Sequence, residues 1–258
     1  MTDILARYGP FFLYTYTVIL GLGVALALGL TAALARRDAG GKLDGWLDGA
    51  LAAAAGALLG GRVVFVWLNA AYFAENPAEA WQLQLGGLNY HGALLGGLAG
   101  LWLWARLSGR PFVRYAGLFA PGLALLSAFG WAACGFEGCA YGRAAAPGLL
   151  AAAPGLLAAN LPDDMGVFAV RYRTQAFGTV AALAMFLLAW AGYGRLRPGL
   201  LFWLTLGGLA LGRVGVALGR GDAAVVVGGW RLDLMIDCGL AVVTLVACGY
   251  LLVRRENG

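Results

Sequence analysis

The sequence predicts an all-α polytopic membrane protein, with about seven transmembrane helices in a single domain spanning residues 1–258. Of its residues, 61% are hydrophobic and 12% are charged, whereas soluble domains are about 45–50% apolar and about 25% charged. Apolar runs of about 18 or more residues recur along the chain, and such runs are long enough to cross a bilayer. The 42 glycines fit this class, because small residues let membrane helices approach closely.

The apolar runs and the charges between them predict a topology. Basic residues follow every second run, whereas the loop after the second run carries Glu75 and Glu79 without a base. Because basic loops tend to stay in the cytoplasm, we expect the N-terminus outside and the C-terminus in the cytoplasm. The first run is too long for a signal peptide and is expected to remain as a span. The predicted spans are 11–35, 46–70, 88–107, 113–133, 174–193, 198–219 and 233–253.

The net charge of +5 indicates contact with anionic lipid headgroups rather than with nucleic acid. A nucleic-acid surface combines a basic stripe with interleaved aromatic residues, and this sequence has none. No nucleic-acid partner is therefore expected.

The cysteines are interpreted as small packing residues, and neither a metal site nor a cofactor is predicted. None of them has a C-x-x-C spacing, and the lone histidine is distant in sequence. On a continuous helix Cys134 and Cys139 would point in different directions, so their pairing requires a break at Gly135 or Gly138. Whether they pair stays open at this point. The four cysteines are Cys134, Cys139, Cys238 and Cys248.

Residues 144–171 are predicted to form an arm on the outer membrane surface between spans four and five. The segment Ala-Pro-Gly-Leu-Leu-Ala-Ala occurs twice in tandem, at 146–152 and 153–159. Each proline removes a backbone donor and disfavours helix before it, so the segment cannot span a membrane. The alternative is a poorly ordered linker.

Three polar residues in or beside the spans are candidates for chemistry. His91 begins the third span, where a neutral imidazole could accept a proton; the alternative is a histidine bonded to water or headgroups. Arg62 and Arg213 lie within spans two and six, where a charge is costly and usually functional. A guanidinium suits an anionic phospholipid headgroup. The alternative is an ion pair with Asp233 or Asp237.

Short motifs occur from the second span to the end of the sixth, and the glycine-rich stretch from Gly130 to Arg143 ends the fourth span. The motifs are Gly60-Gly61-Arg62, Gly86-Gly87, His91-Gly92, Phe119-Ala120-Pro121, Gly138, Gly142-Arg143, Arg171, Gln175, Arg213, Arg220 and Asp222. Taken in this order, which covers nearly the whole chain, they resemble the prolipoprotein diacylglyceryl transferase family.

The resemblance implies a multi-pass protein of the bacterial inner membrane that moves a diacylglyceryl group from phosphatidylglycerol to the lipobox cysteine of a prolipoprotein. It implies His91 as base or polar anchor, with Arg213 and Tyr16 as further catalytic residues. The phospholipid-binding residues that it implies are Arg62, Glu137, Gly142, Arg143, Arg171, Gln175 and Arg220.

The sequence also departs from the family pattern. Trp131 stands where the family has an essential arginine, and Leu209 where it has a tyrosine. Two interpretations follow: an active transferase with a rebuilt site or a changed acceptor, and an inactive relative that acts as a lipid-binding structural subunit of a membrane complex. The other departures are Ala133-Cys134 for Gly-Asn, Glu137 for Asn, Cys139 for Glu and Gly178 for Glu.

Overall fold

Helices make up most of the computed structural model, which describes residues 4–8, 11–38, 44–145, 148, 155 and 157–256. In chain order the elements are β1 Ile4–Tyr8, β2 Phe11–Tyr14, α1 Thr15–Arg37, α2 Trp46–Leu68, α3 Ala70–Glu75, α4 Tyr90–Leu107, α5 Phe112–Glu137, β3 Ala158–Pro162, β4 Phe168–Tyr172, α6 Thr174–Gly192, α7 Pro198–Ala217, β5 Val226–Val227, β6 Trp230–Arg231 and α8 Leu232–Glu256. Two short 3-10 helices, Pro77–Trp81 and Leu83–Leu85, lie between α3 and α4.

The described residues contain six helices that are long and apolar enough to cross a membrane, namely α1, α2, α5, α6, α7 and α8. This confirms a mostly helical, polytopic membrane protein. Each predicted span overlaps a helix of the structure. Helix α4, with 18 residues, is not among the six candidate membrane-spanning helices. The count of seven spans and the orientation of the termini stay predictions.

The first span begins later than the sequence predicts. Residues 11–14 form strand β2, which pairs antiparallel with β1, and the helix starts at Thr15. The run Phe-Phe-Leu-Tyr is aromatic and favours a strand, so hydrophobicity alone could not separate it from the helix that follows.

The chain divides into two compact units, residues 1–31 with 117–258 and residues 32–116. In the unit of residues 32–116, α2 and α4 pack antiparallel through glycines. A methyl group at Gly96 would overlap the carbonyl oxygen of Gly56, and one at Gly92 would overlap that of Gly60. The backbones touch because these residues lack side chains, as is common between membrane helices.

The unit of residues 1–31 and 117–258 has an apolar core in which α5, α6 and α7 meet. Its buried residues are Ala124 and Ala128 of α5, Ala182 and Phe186 of α6, and Leu209 of α7. The side chains packed against them are Leu30, Leu123, Leu125, Trp131 and Met185. This core lies directly before the glycine-rich end of α5 and positions it.

The predicted surface arm contains a β-hairpin. Strands β3 and β4 pair antiparallel, from Ala158 opposite Tyr172 to Pro162 opposite Phe168. Most of the tandem repeat at 146–159 lies outside the described residues. The position of the arm on the outer surface stays a prediction.

Candidate functional site

The glycine-rich stretch leaves α5 through a tight turn that is closed by a disulfide. Helix α5 ends at Glu137, and Gly138 adopts φ +81°, the left-handed region that suits glycine. Cys134 and Cys139 are disulfide-bonded, with their Cα atoms 5.1 Å apart. The break required for pairing therefore occurs at Gly138, and the interpretation of these two cysteines as packing residues is wrong. Cys238 and Cys248 are free.

The segment Gly138–Arg143, here called the signature loop, is anchored on the start of α6. The Gln175 side chain donates through Nε2 to the carbonyl of Cys139 at 2.8 Å, and the Thr174 hydroxyl donates to that of Ala140 at 2.6 Å. Thr174 is fully buried and Gln175 is nearly so. The Thr174 hydroxyl thus anchors the signature loop to the start of α6.

Backbone pairing brings four of the predicted site residues together. Gly142 forms an antiparallel bridge with Arg220, and Ala144 forms one with Arg171. The Arg143 N–H donates to the Gly219 carbonyl at 2.8 Å. A side chain at Gly142 would overlap the carbonyl of Tyr172, so only glycine fits this crossing. The signature loop thus lies between the end of α7 and the start of α6.

Most arginines around the signature loop are paired with carboxylates. Arg171 contacts Asp163 at 2.8 Å, and Arg220 contacts Asp222 at 2.5 Å and Asp233 at 2.9 Å. Burial lowers the pKa of Arg220, but its hydrogen bond with Asp222 and the charges of Asp222, Asp233 and Asp237 outweigh burial and raise it. Arg220 therefore stays charged and links the carboxylates of Asp222 and Asp233.

Arg143 differs from these neighbours. Its side chain is exposed, its guanidinium lies 5.8 Å from the centre of the Tyr172 ring, and it forms no ion pair within the described part of the chain. An exposed guanidinium that is held beside an aromatic ring can bind a phosphate by donating two parallel hydrogen bonds to it.

Arg213 forms a buried ion pair, as one of the sequence alternatives predicted. Its Nε lies 3.1 and 3.2 Å from the two carboxylate oxygens of Asp237, a residue that is 1% exposed. The guanidinium carbon, Cζ, lies 5.6 Å from the centre of the Trp131 ring. Tyr16, at the start of α1, interacts electrostatically with Glu137 at the end of α5.

Arg62 organises the backbone of its own unit. It is 3% exposed and donates to five carbonyl oxygens, those of Glu79, Ala80, Gln82, Gly86 and Gly87. These contacts, 2.5–3.3 Å long, use all five guanidinium N–H groups. A carboxylate partner, the other alternative for this arginine, is not among its contacts in the described residues.

His91 lies beside this arrangement, in the first turn of α4. It is 6% exposed, and its ring lies 5.2 Å from that of Tyr90. The Asn89 side chain caps the helix by accepting from the Gly92 N–H at 2.9 Å, and the Asn89 N–H donates to the carbonyl of Gly61 at 3.0 Å. Asn89, two residues before His91, is thus bonded to Gly61, the residue before Arg62. Within the described ranges, no group of three His, Cys, Asp or Glu residues could hold a metal ion.

Asp163, which the sequence did not single out, shapes the β3–β4 hairpin. Its carboxylate accepts from the backbone N–H groups of Val167 at 2.9 Å and Met165 at 3.0 Å, and it pairs with Arg171. The Val167 N–H has the largest effect in lowering the pKa of this carboxyl; burial opposes it, and the Met165 N–H and the Arg171 charge add to it. A lowered pKa means that ionised Asp163 stabilises the folded hairpin.

We therefore expect Asp163→Asn to loosen the hairpin, seen as several-fold faster amide exchange in residues 158–172 at neutral pH. In the unchanged protein this protection should be complete above the ordinary pKa of an aspartate, about 4, and should be lost as the pH falls below it. Asp164→Asn is the matched control, because Asp164 accepts only a longer bond, 3.2 Å, from the Tyr141 hydroxyl. Equal exchange in both variants would contradict the assignment.

The long apolar helices, together with the polar signature loop that follows α5, define a polytopic membrane protein. The chain belongs to the prolipoprotein diacylglyceryl transferase family, whose profile matches residues 3–254. It is 26% identical to a phosphatidylglycerol–prolipoprotein diacylglyceryl transferase of Trichormus variabilis, over 98% of this chain and 90% of that protein. It is 29% identical to proteins of the same name from Bacillus anthracis and Bacillus cereus, over 98% of this chain and 92% of theirs.

Proposed function

We propose that this protein transfers a diacylglyceryl group from phosphatidylglycerol to the lipobox cysteine of a prolipoprotein. The observation that carries the proposal is the family match over residues 3–254, together with the relatives described above, each of which is named for this reaction. The transfer forms a bond between the cysteine sulfur and a glyceryl carbon and breaks the bond between that carbon and the phosphate oxygen. The thiol proton passes to a base, and glycerol phosphate leaves.

The reaction needs a base for the thiol and cations for the departing phosphate. We assign the base to His91, the buried histidine in the first turn of α4. Arg143, which is exposed beside the signature loop, is the strongest candidate for the phosphate, with Arg213 as a second cation. Arg171, Gln175 and Arg220 hold the signature loop in place. Glu137 directly precedes the loop, and Tyr16 of α1 interacts electrostatically with Glu137.

We propose seven spans, with the N-terminus outside the bacterial inner membrane and the C-terminus in the cytoplasm. Two observations support this. Helix α4 packs antiparallel along α2, which is itself a candidate span, and 18 residues at about 1.5 Å each nearly match the bilayer core. The disulfide at the end of α5 favours an oxidising compartment, which supports an outer location for this end of the helix.

A second candidate function is supported by the core around Leu209. This residue is 5% exposed, and Trp131 packs against the same apolar cluster. Apolar residues where the family pattern has an arginine and a tyrosine leave fewer polar groups for catalysis, and this favours the alternative of a lipid-binding structural subunit of a membrane complex. Such a subunit should co-purify with other membrane proteins in mild detergent and should transfer nothing.

The deciding experiment is transfer of radiolabelled diacylglyceryl from phosphatidylglycerol to a lipobox peptide by the purified protein. We expect transfer by the unchanged chain and a loss of about 10²–10⁴-fold for His91→Ala, the effect of removing a general base. Arg114→Gln is the control, because it breaks only the exposed pair with Asp38.

The same variants should behave alike in a bacterium depleted of its own transferase. There the unchanged chain and Arg114→Gln should restore growth, and His91→Ala should not. A chain that inserts into the membrane yet neither transfers nor rescues would overturn the proposed reaction.

A further inference from the structure

Trp131 occupies space that exists because residue 178 has no side chain. Its indole lies directly on the backbone of Gly178, so that a Cβ added there would overlap three atoms of the indole. Gly178 is buried in α6, one turn after Gln175, and Trp131 is in the last two turns of α5. The departures from the family pattern at positions 131 and 178 are therefore one change in space rather than two.

The same indole faces the guanidinium of Arg213. The distance from Arg213 Cζ to the ring centre is 5.6 Å, within the range of a cation–π contact. The Nε edge of the guanidinium is held by both oxygens of Asp237, at 3.1 and 3.2 Å. A planar group that is held at one edge and whose central carbon lies over an aromatic ring has less rotational freedom.

The surroundings explain why an aromatic ring suits this position. Trp131 packs against the buried apolar cluster that contains Ala182 and Leu209. A second guanidinium at position 131 would lie in this cluster without a carboxylate at position 178 to balance it, and an unpaired charge in apolar surroundings is strongly disfavoured. An indole fills the same space without a charge.

We infer that Trp131 is a positioning residue that orients the Arg213 guanidinium. Trp131 is itself held in place by packing on the backbone of Gly178, which has no side chain. This inference rests on the proposed function for its catalytic consequence. Trp131 supplies no proton and touches no reacting atom. It sets the direction in which Arg213 presents its charge to the departing phosphate.

A double-mutant cycle on transfer kinetics tests the contact with Arg213. We expect Trp131→Ala to lower kcat about 10-fold or more with little change in KM, because the orientation matters most in the transition state. Trp131→Phe should retain most of the rate, since a phenyl ring also offers a face to a cation. Trp131→Ala should cost nothing further in a protein that already carries Arg213→Ala. Losses that simply multiply in the double variant would overturn the inference.

Thermal unfolding in detergent tests the packing of Trp131 on Gly178 and needs no substrate. Gly178→Ala should lower Tm by several degrees, because the new methyl overlaps the indole. Trp131→Val removes the indole, so Gly178→Ala should then cost little or nothing. An equal fall in Tm in both backgrounds would show that Trp131 does not pack on Gly178.

The two experiments separate this inference from the proposed function. If the unchanged protein transfers nothing, the proposed reaction fails, and the unfolding cycle still decides whether Trp131 sits on Gly178. If the unchanged protein transfers while Trp131→Ala does so equally fast, the proposed reaction stands and the positioning role is wrong.

Discussion

Replacing Arg62 with methionine is expected to lower the free energy of unfolding by about 3–5 kcal/mol, because it leaves several partly buried carbonyl oxygens without a donor. The substitution removes the donors of five carbonyl oxygens in residues 79–87. Each buried acceptor without a donor costs about 1–3 kcal/mol, although some of these carbonyls will regain water. For a chain of this length the loss corresponds to a fall in Tm of about 10 °C.

The matched variants for this prediction are Arg62→Lys and Arg114→Met. Lysine keeps the charge but has three N–H groups for five acceptors, so it should recover only part of the stability. Arg114→Met removes an arginine from an exposed pair and should change Tm little. Full stability of Arg62→Met, measured by thermal unfolding in detergent, would contradict the role of Arg62 in holding the backbone of its unit.

Replacing Gly96 with alanine is expected to disrupt the packing of α2 on α4 and to cost about 1–3 kcal/mol or more, as overpacking does. The added methyl overlaps the Gly56 carbonyl oxygen and the Gly60 backbone, and neither can move without displacing a helix. The neighbouring Gly97 is the control, since its nearest contact would be 3.3 Å, at the carbonyl of Ala53. The two variants differ by one position on the same helix.

Measured side by side, Gly97→Ala should keep the Tm of the unchanged protein or raise it slightly, because alanine favours helix over glycine. Gly96→Ala should unfold several degrees lower and yield less inserted protein. Identical curves for the two variants would mean that α2 and α4 do not approach as closely as the structure shows.

Hydrophobicity predicts the helices of this protein well because crossing a bilayer imposes a length and a composition that are visible locally. The predicted second span, 46–70, and the helix Trp46–Leu68 differ by two residues. The three hairpins escaped prediction, since strands of two to five residues carry little periodic signal. Prolines in 144–171 excluded a membrane-spanning helix there but could not reveal which strands would pair.

The candidate site was predictable in its members but not in their contacts. Family resemblance pointed to Gly142, Arg171, Gln175 and Arg220, and the fold brings these residues to one loop. It gave no sign that Asp163 shapes the neighbouring hairpin. The sequence predicted in general that glycines allow close helix packing. The close approach of Gly96 to Gly56 depends on the register of the two helices, which the sequence did not give.

By itself, the sequence determined that this is a polytopic membrane protein, where its helices run and to which family it belongs, because these follow from composition, run length and ordered motifs. Only the tertiary structure decided what each polar group does. Arg62 binds backbone carbonyls, Arg213 pairs with Asp237, and Cys134 bonds to Cys139. The reason is physical: a buried charge takes whichever partner the packing brings within hydrogen-bond distance, and that distance is not encoded in the spacing along the chain.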